Sequence, residues 1–489
     1  MVRQQAGALR YAVRMSVVLK YFGQFCLVIS ALTVAPLAVS LLFGEYHISV
    51  RYTIVIAALV ALGAALSRLR VPPQVQANEA MVLVASLFLF TPAVMTYPLM
   101  SGGLGFLDAL FEAVSGATTT GLSTLPSVEG APSTFLFSRA WMQWYGGLGI
   151  VILSLALLVR PGVAAKSLSV TETREEDLVG GTKAYARRVF VVYLVLTGCG
   201  VVLLWLLGAR PFHALVYTLA AVSTGGFAPH DASLTGLGGW PLEVGVTLLC
   251  VAGAIPLLFF YKLVGGHRRV ATDTVQLRAI LIGGVLITLL VGWCMWRLSG
   301  MSWTTVVHHA PVLAFSAQST AGFSTLDLST LDAATKSVLI FAMVVGGGVG
   351  STAGGFKIFR ILIVVQMLRL AMVRMSVTKH TVLQPRLAGQ RLGEAEIQDA
   401  FLIILLFVTV IVVSWLPFVI MGYDPLDALF EVVSATGTVG LSARVVGAEL
   451  PGVLKGILCA DMLLGRLEIM AWLLMFNPKT WIGRRMAAS

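Results

Sequence analysis

Of the chain's 489 residues, 57% are hydrophobic and only 12% are charged, with a mean hydropathy of +0.89. A soluble domain averages about 25% charged residues. This composition excludes a water-soluble core and assigns the chain to a lipid bilayer. The net charge of +11 is explained by where the cations lie, and no nucleic-acid partner is expected.

The apolar stretches give ten candidate spans, since a crossing helix needs about 20 apolar residues. They are 20–43, 51–67, 77–99, 134–159, 185–208, 239–261, 277–298, 334–356 with an extension to 372, 397–421 and 452–475. Arg3, Arg10 and Arg14 precede the first span without a small-residue cleavage site, so no cleavable leader is expected. Segments 1–20, 67–75, 160–188, 262–278, 357–395 and 476–489 hold 26 of the 34 Lys and Arg residues. By the positive-inside bias these segments and both termini are cytoplasmic. The opposite side carries Asp108, Glu112, Glu129, Asp231, Asp327, Asp332, Asp424, Asp427 and Glu431. Two readings of that side stand: an acidic mouth that concentrates cations, or the plain remainder of the positive-inside bias. The five cysteines all fall in apolar stretches without a Cys-x-x-Cys, and read as small buried hydrophobes.

Four shorter apolar pieces, 106–118, 211–223, 305–319 and 425–437, are too short to cross and read as re-entrant helices. Each runs into one sign: Thr119-Thr120-Gly121, Thr224-Gly225-Gly226, Thr320-Ala321-Gly322 and Thr438-Val439-Gly440, followed by Leu or Phe. Asp108-Ala109-Leu110-Phe111-Glu112 recurs as Asp427-Ala428-Leu429-Phe430-Glu431, and His213 and His309 hold the register of those aspartates in the other two copies. Internal repetition of this kind implies duplication. The expected architecture is an all-α polytopic membrane protein. Four repeats of span, pore helix, filter loop and span surround one pore, behind an extra N-terminal pair whose expected role is packing. The expected divisions are 1–75, 76–165, 166–270, 271–385 and 386–489.

Irregular backbone at membrane depth is tolerated where it is buried or lines a wet cavity. Backbone carbonyls aimed at one axis replace the water of a dehydrated cation. Glycine reaches the needed backbone angles without steric cost, and the negative C-terminal end of each short helix favours a cation. Four such loops point to a potassium-type filter.

These residues, with Gln143-Trp144-Tyr145-Gly146-Gly147-Leu148-Gly149, Gly346-Gly347-Gly348-Val349-Gly350-Ser351-Thr352-Ala353-Gly354-Gly355 and Met462-Leu463-Leu464-Gly465-Arg466-Leu467-Glu468, resemble the Trk/Ktr/HKT superfamily of potassium transporters. The likeness covers nearly the whole chain and is greatest to the bacterial TrkH/TrkG branch, with Ala321 a KtrB-like feature. The resemblance implies K⁺ as the transported ion and no covalent cofactor. It also implies a homodimer in a bacterial inner membrane and a cytosolic ring of nucleotide-binding TrkA-type subunits. The basic connectors 160–188 and 357–395 are the expected docking surface for that ring, with attraction to anionic lipid headgroups as the alternative. An intact Gly121 favours K⁺ over Na⁺ by the same resemblance.

Residues 346–355 include Gly346, Gly347, Gly348, Gly350, Gly354 and Gly355 together with Ser351 and Thr352. Each interior glycine costs a helix about 0.8–1 kcal/mol relative to alanine. The segment is therefore expected to unwind, and the family implies a gate there; close helix packing is the alternative. Arg466 lies mid-span, where a charge is costly and functional. It reads either as a barrier in the ion path or as a structural partner of Asp461 or Glu468. Lys357 is expected as a cytoplasmic anchor. Glu112 and Glu431 are expected to bond loop amides or an arginine such as Arg139 or Arg444. His308 and His309 lack a third ligand for a metal.

A coupled Na⁺ or H⁺ symporter is the alternative function, with Asp461 and Glu468 as the intramembrane acids it needs. Gly-x-Ser-x-Gly and His-Glu-x-x-His are absent from the sequence, as is a nucleotide-binding glycine turn, which excludes the common enzyme classes.

Overall fold

The structure is a computed structural model that describes residues 12–72, 75–158, 178–264, 271–377 and 383–482. The connector 160–188 therefore lies largely outside the described residues. Helices α1 (Met15–Leu42) and α2 (Tyr46–Ser67) form an antiparallel hairpin. They meet at glycines: a Cβ on Gly63 would lie 2.8 Å from the Gly23 carbonyl oxygen. The hairpin docks on the first repeat. Tyr52 donates to Ser138 Oγ at 2.6 Å, and the Trp141 indole donates to the Leu32 carbonyl at 2.8 Å. Glu45 accepts from the amides of Ser133 and Thr134 at 2.8 and 3.0 Å, which caps the next long helix of that repeat. The expected packing role of the extra pair is what the contacts show.

Repeat one consists of α3 (Ala77–Leu99), α4 (Phe106–Ala117) and α5 (Ser133–Leu158). Repeat two follows with α6 (Leu178–Leu206), α7 (Pro211–Val222), α8 (Trp240–Ala254) and α9 (Leu257–Val264). Repeat three has α10 (Ala271–Arg297), α11 (Trp303–Gln318), α12 (Ala333–Val345) and α13 (Ile358–Ser376). A two-residue hairpin, β1 (Arg386–Leu387) against β2 (Gln390–Arg391), leads to repeat four. That repeat has α14 (Glu394–Ile420), α15 (Pro425–Thr436), α16 (Gly452–Arg466), α17 (Met470–Phe476) and α18 (Pro478–Trp481). The short helices α4, α7, α11 and α15 are the expected re-entrant pieces.

Among the described residues, six helices are long and apolar enough to cross a bilayer, or seven if α8 and α9 count as one bent span. Three of the ten expected spans are not continuous. The stretch 239–261 turns by 92° between α8 and α9, where Pro256 supplies no amide. The stretch 334–356 ends as helix at Val345, and 452–475 breaks after Arg466, where Glu468 and Ile469 take left-handed φ values of 53° and 63°. The apolar pattern marks membrane depth for these segments but not helical continuity. Only α5 runs unbroken through the corresponding level, so the second helices of repeats two to four all break there.

Candidate functional site: a four-loop ring and the loop beneath it

Each short helix ends alike. Thr119 and Thr120 donate their amides to Gly116 O at 3.1 Å and Ser115 O at 2.9 Å. The same pair recurs at Thr224 and Gly225, Thr320 and Ala321, and Thr438 and Val439. This crossed pair is a Schellman ending, which ordinarily places glycine in the left-handed position. Here the position is held by Thr119, Thr224, Thr320 and Thr438, at φ 55°, 52°, 56° and 50°. A β-branched residue at positive φ is an outlier. Four matched outliers mark strain that the surroundings hold in place.

One residue further on from each middle position, Gly121, Gly226, Gly322 and Gly440 have φ of 95°, 83°, 73° and 96°. A Cβ on Gly121 would meet Gly225 O; on Gly226, Ala321 O; on Gly322, Val439 O; on Gly440, Thr120 O. Each approach is under 3.0 Å, closer than real Cβ atoms come. The four contacts run head to tail and close into a ring. All twelve expected filter residues therefore lie in four adjoining loops, brought together from positions more than 300 residues apart. Thr119 and Thr438 each keep a buried hydroxyl with no hydrogen-bond partner among the described residues.

The loops are braced from behind. In repeat one, Ser115 Oγ accepts from the Gly121 amide at 3.0 Å, and Glu112 accepts from Ser123 Oγ and from the Thr124 amide at 3.1 Å. Arg139 closes that cradle with an Nε donation to Glu112 at 2.8 Å, both side chains buried. Repeat four repeats the pattern with Ser434 to Gly440 at 3.0 Å and Glu431 to Ser442 and Val445 at 2.7 and 3.1 Å. Leu458 stands where Arg139 would be, and Glu431 Oε2 has no hydrogen-bond partner among the described residues. Arg444 pairs with Asp327 instead, at 3.1 Å.

Residues 346–357 form an unwound loop between α12 and α13, as expected. Its turns use left-handed φ at Gly346 (68°), Gly350 (78°) and Gly355 (70°). The loop is bound on several sides. The Gly354 amide donates to Thr320 Oγ1 at 2.7 Å and the Gly355 amide to Gly437 O at 3.1 Å. Thr352 Oγ1 reaches Val222 O and Gly253 O, both at 3.0 Å. The amides of Gly348 and Thr352 donate to Ala254 O and Gly253 O at 2.9 and 3.1 Å. The loop thus sits directly against the C-terminal ends of α7, α11 and α15.

Arg466 is 3% exposed and donates to Thr352 O at 2.9 Å and Gly146 O at 3.4 Å. Its expected local acids are engaged elsewhere: Glu468 pairs with Arg360, and Asp461 accepts from Ser414 at 2.6 Å. The arginine therefore ties the loop to α5 through carbonyls, not through an ion pair. Lys357 corrects the expectation of a cytoplasmic anchor. It is 8% exposed, has φ 70°, and folds its ammonium back onto Ala353 O within the loop.

Most of the outer acids are committed to structure. Asp108 pairs with Lys455 and Asp427 with Lys336, both at 2.6 Å, each across the seam between successive repeats. Glu243 and His308 bridge the seam between repeats two and three at 2.7 Å. Asp332 caps α12 through the amides of Ala334 and Thr335 at 3.0 Å. These contacts favour the plain reading of the acidic side over a bare anionic mouth. Sequence reasoning assigned no role to Lys336, Lys455, Arg360 or Gln143. Their signal was present, since a lone polar residue inside an apolar stretch is costly and needs a partner.

Comparison with known proteins gives the family and the fold. A family model described as TrkH, cation transport protein, matches residues 48–264 and 302–482. A protein described as an uncharacterized cation transporter of Methanocaldococcus jannaschii is 28% identical, covering 94% of this chain and 94% of its own length. The Trk system potassium uptake protein TrkH of Halomonas elongata is 27% identical over 95% of this chain and 98% of its own. Its Escherichia coli namesake is 28% identical over 83% and 87%. The crystal structure of the potassium transporter TrkH from Vibrio parahaemolyticus superposes with a TM-score of 0.85 at 23% identity, covering 96% of this chain and all of that one, which shows a common fold. With the family model spanning most of the sequence, the chain belongs to the TrkH family of cation transport proteins, a family of transporters and not of enzymes.

Proposed function

We propose that the chain is the potassium-conducting membrane subunit of a bacterial K⁺ uptake system. The closed ring of filter glycines against neighbouring carbonyls carries the reading. Threonine in the left-handed region and glycine at positive φ two residues on turn successive carbonyls to one side of the strand, and four strands supply a cage for a dehydrated cation. The ends of four short helices add a field that favours cations.

The loop 346–357 is the gate. It lies beneath the ring, and Arg466 both fastens it and places a positive charge in the path. Opening moves the loop away from Thr320, Gly437, Val222 and Arg466. The five divisions stand as proposed units: the N-terminal hairpin in 1–75 and the four repeats in 76–165, 166–270, 271–385 and 386–489. The Lys- and Arg-rich connectors support cytoplasmic termini, and we place the chain in a bacterial inner membrane. There it works as a homodimer docked on a nucleotide-binding TrkA-type ring.

The test is cation flux into proteoliposomes holding the purified chain, with K⁺ and Na⁺ gradients set separately, for the wild type and Gly121→Ser. K⁺ or Rb⁺ uptake down its own gradient, with discrimination against Na⁺ weakened by the substitution, is the expected result. Uptake that requires added Na⁺ or H⁺ instead selects the symporter. Glu468 is held by Arg360, which leaves Asp461 as the acid such coupling would need.

A further inference from the structure

We propose that Gln143, on α5 of repeat one, positions the filter loop of repeat two, and that residue 225 is glycine in order to admit it. The inference rests on the filter reading above. Its starting point is an inequality among the four loops. In repeats one and four each loop is braced by its own short helix, through Glu112 with Ser115 and Glu431 with Ser434. At the matching places repeat two has Tyr217 and Ala220. The Tyr217 hydroxyl is spent on Ser233 O at 2.6 Å and lies 3.0 Å from His230 Nδ1, and Ala220 has no hydroxyl. Loop two lacks both supports of its own.

Gln143 supplies them from the neighbouring repeat. Its Nε2 donates to Gly225 O, and its Oε1 accepts from the Phe227 amide at 3.2 Å. A carboxamide can do both at once because it carries a donor and an acceptor on one planar group. The two bonds straddle Gly226, whose φ of 83° is thereby held from both sides. Gln143 has no exposed surface. One turn earlier on the same helix face, the Arg139 guanidinium lies 3.8 Å from the centroid of the Phe227 ring, which fixes the residue that ends the clamp.

The glutamine also accounts for an oddity in the sequence. The middle positions of the other three loops are Thr120, Ala321 and Val439, and all carry a Cβ. Gly225 has no left-handed φ, so its backbone alone does not demand glycine. A Cβ there would lie under 3.0 Å from the carboxamide carbon, oxygen and nitrogen of Gln143. The glutamine occupies the volume that the missing methyl leaves. Residues 143 and 225 form one unit, and substitutions at the two sites are non-additive.

The experiment uses the full chain purified in detergent and reads thermal protection by KCl and by NaCl, since an ion bound to the folded state alone raises its stability. Gln143→Leu removes both bonds. Gln143→Glu keeps the size and the acceptor but removes the donor. We expect both to raise the K⁺ concentration for half-protection about tenfold, as for the loss of about 1.4 kcal/mol, with the Na⁺ response little changed. Gly225→Ala alone has a similar effect, and combining it with Gln143→Ala recovers part of the K⁺ response. Gly226→Ser is the control for the filter itself. Gln143 variants with wild-type discrimination, beside a Gly226→Ser that loses it, overturn the clamp and leave the filter standing. A Gly226→Ser that keeps discrimination removes the filter reading and this proposal with it. Equal loss of stability in K⁺ and Na⁺ across all Gln143 variants assigns the residue a merely structural role and also overturns the proposal.

Discussion

Glu112 and Glu431 offer an internal control that the duplication has already built. Both sit on short helices, both are wholly buried, and both accept from a serine hydroxyl and a loop amide two to five residues beyond the filter glycine. They differ in one partner: Glu112 receives Arg139 Nε at 2.8 Å, while Glu431 Oε2 has no hydrogen-bond partner among the described residues and Leu458 holds the register of Arg139. Substitution by glutamine therefore has unequal effects. Glu112→Gln leaves a guanidinium buried at 3% side-chain exposure without its carboxylate, and breaking one side of a buried pair costs about 3–5 kcal/mol. Glu431→Gln keeps a side-chain oxygen that accepts from Ser442 and Val445, breaks no ion pair, and costs within about 1 kcal/mol, the scale of one net hydrogen bond. Adding Arg139→Leu to Glu112→Gln leaves an uncharged pair of the kind that Glu431→Gln makes beside Leu458 and recovers most of the loss. Thermal unfolding of the purified variants in detergent measures the order. A Glu431→Gln variant as damaged as Glu112→Gln, or a double variant no better than the single, refutes the reasoning.

Other outcomes follow from the same contacts. Alanine at Gly121, Gly226, Gly322 or Gly440 drives a methyl into the next loop's carbonyl from a backbone at positive φ; each should abolish discrimination between K⁺ and Na⁺ in proteoliposome flux. Arg466→Met removes the 2.9 Å tie to Thr352 O. A charge-assisted bond of this kind is worth about 1.5–3 kcal/mol, so basal flux should rise, and unchanged flux speaks against the gate. Lys455→Met and Asp108→Asn break one seam contact; their double variant should lose less stability than the two singles combined. Asp332 is partly buried, which opposes its ionisation. Hydrogen bonds from Thr335, Ser299 and the Ala334 amide outweigh this and hold its carboxyl below the ordinary 3.8. Its stabilising contribution is present above that value and lost as pH falls below it; Asp332→Asn should flatten the acid limb of a stability profile.

The membrane class, the four repeats, the short re-entrant helices and the glycine-rich break were legible in the sequence, because each depends on local chemistry. Apolar run length reports depth in the bilayer, and a cluster of glycines lowers helix stability wherever the chain folds. The threonines and glycines of the four Thr-x-Gly loops could be aligned from spacing alone, since duplicated copies keep their register. What tertiary structure decided is which groups from distant repeats share a border. Spacing cannot tell that Gly440 faces Thr120, that Lys455 reaches Asp108, or that Gln143 serves a loop in another repeat. Nor could the apolar pattern foresee the breaks at Pro256 and after Arg466, for a bent span and a straight one bury the same residues. Lys357 was misread as an anchor because its sequence neighbours are cytoplasmic in character, while its positive φ returns the side chain to the loop. Local propensity sets the pieces; the energy of burying carbonyls, amides and charges without water sets their partners, and that energy exists only once the four repeats have closed around one axis.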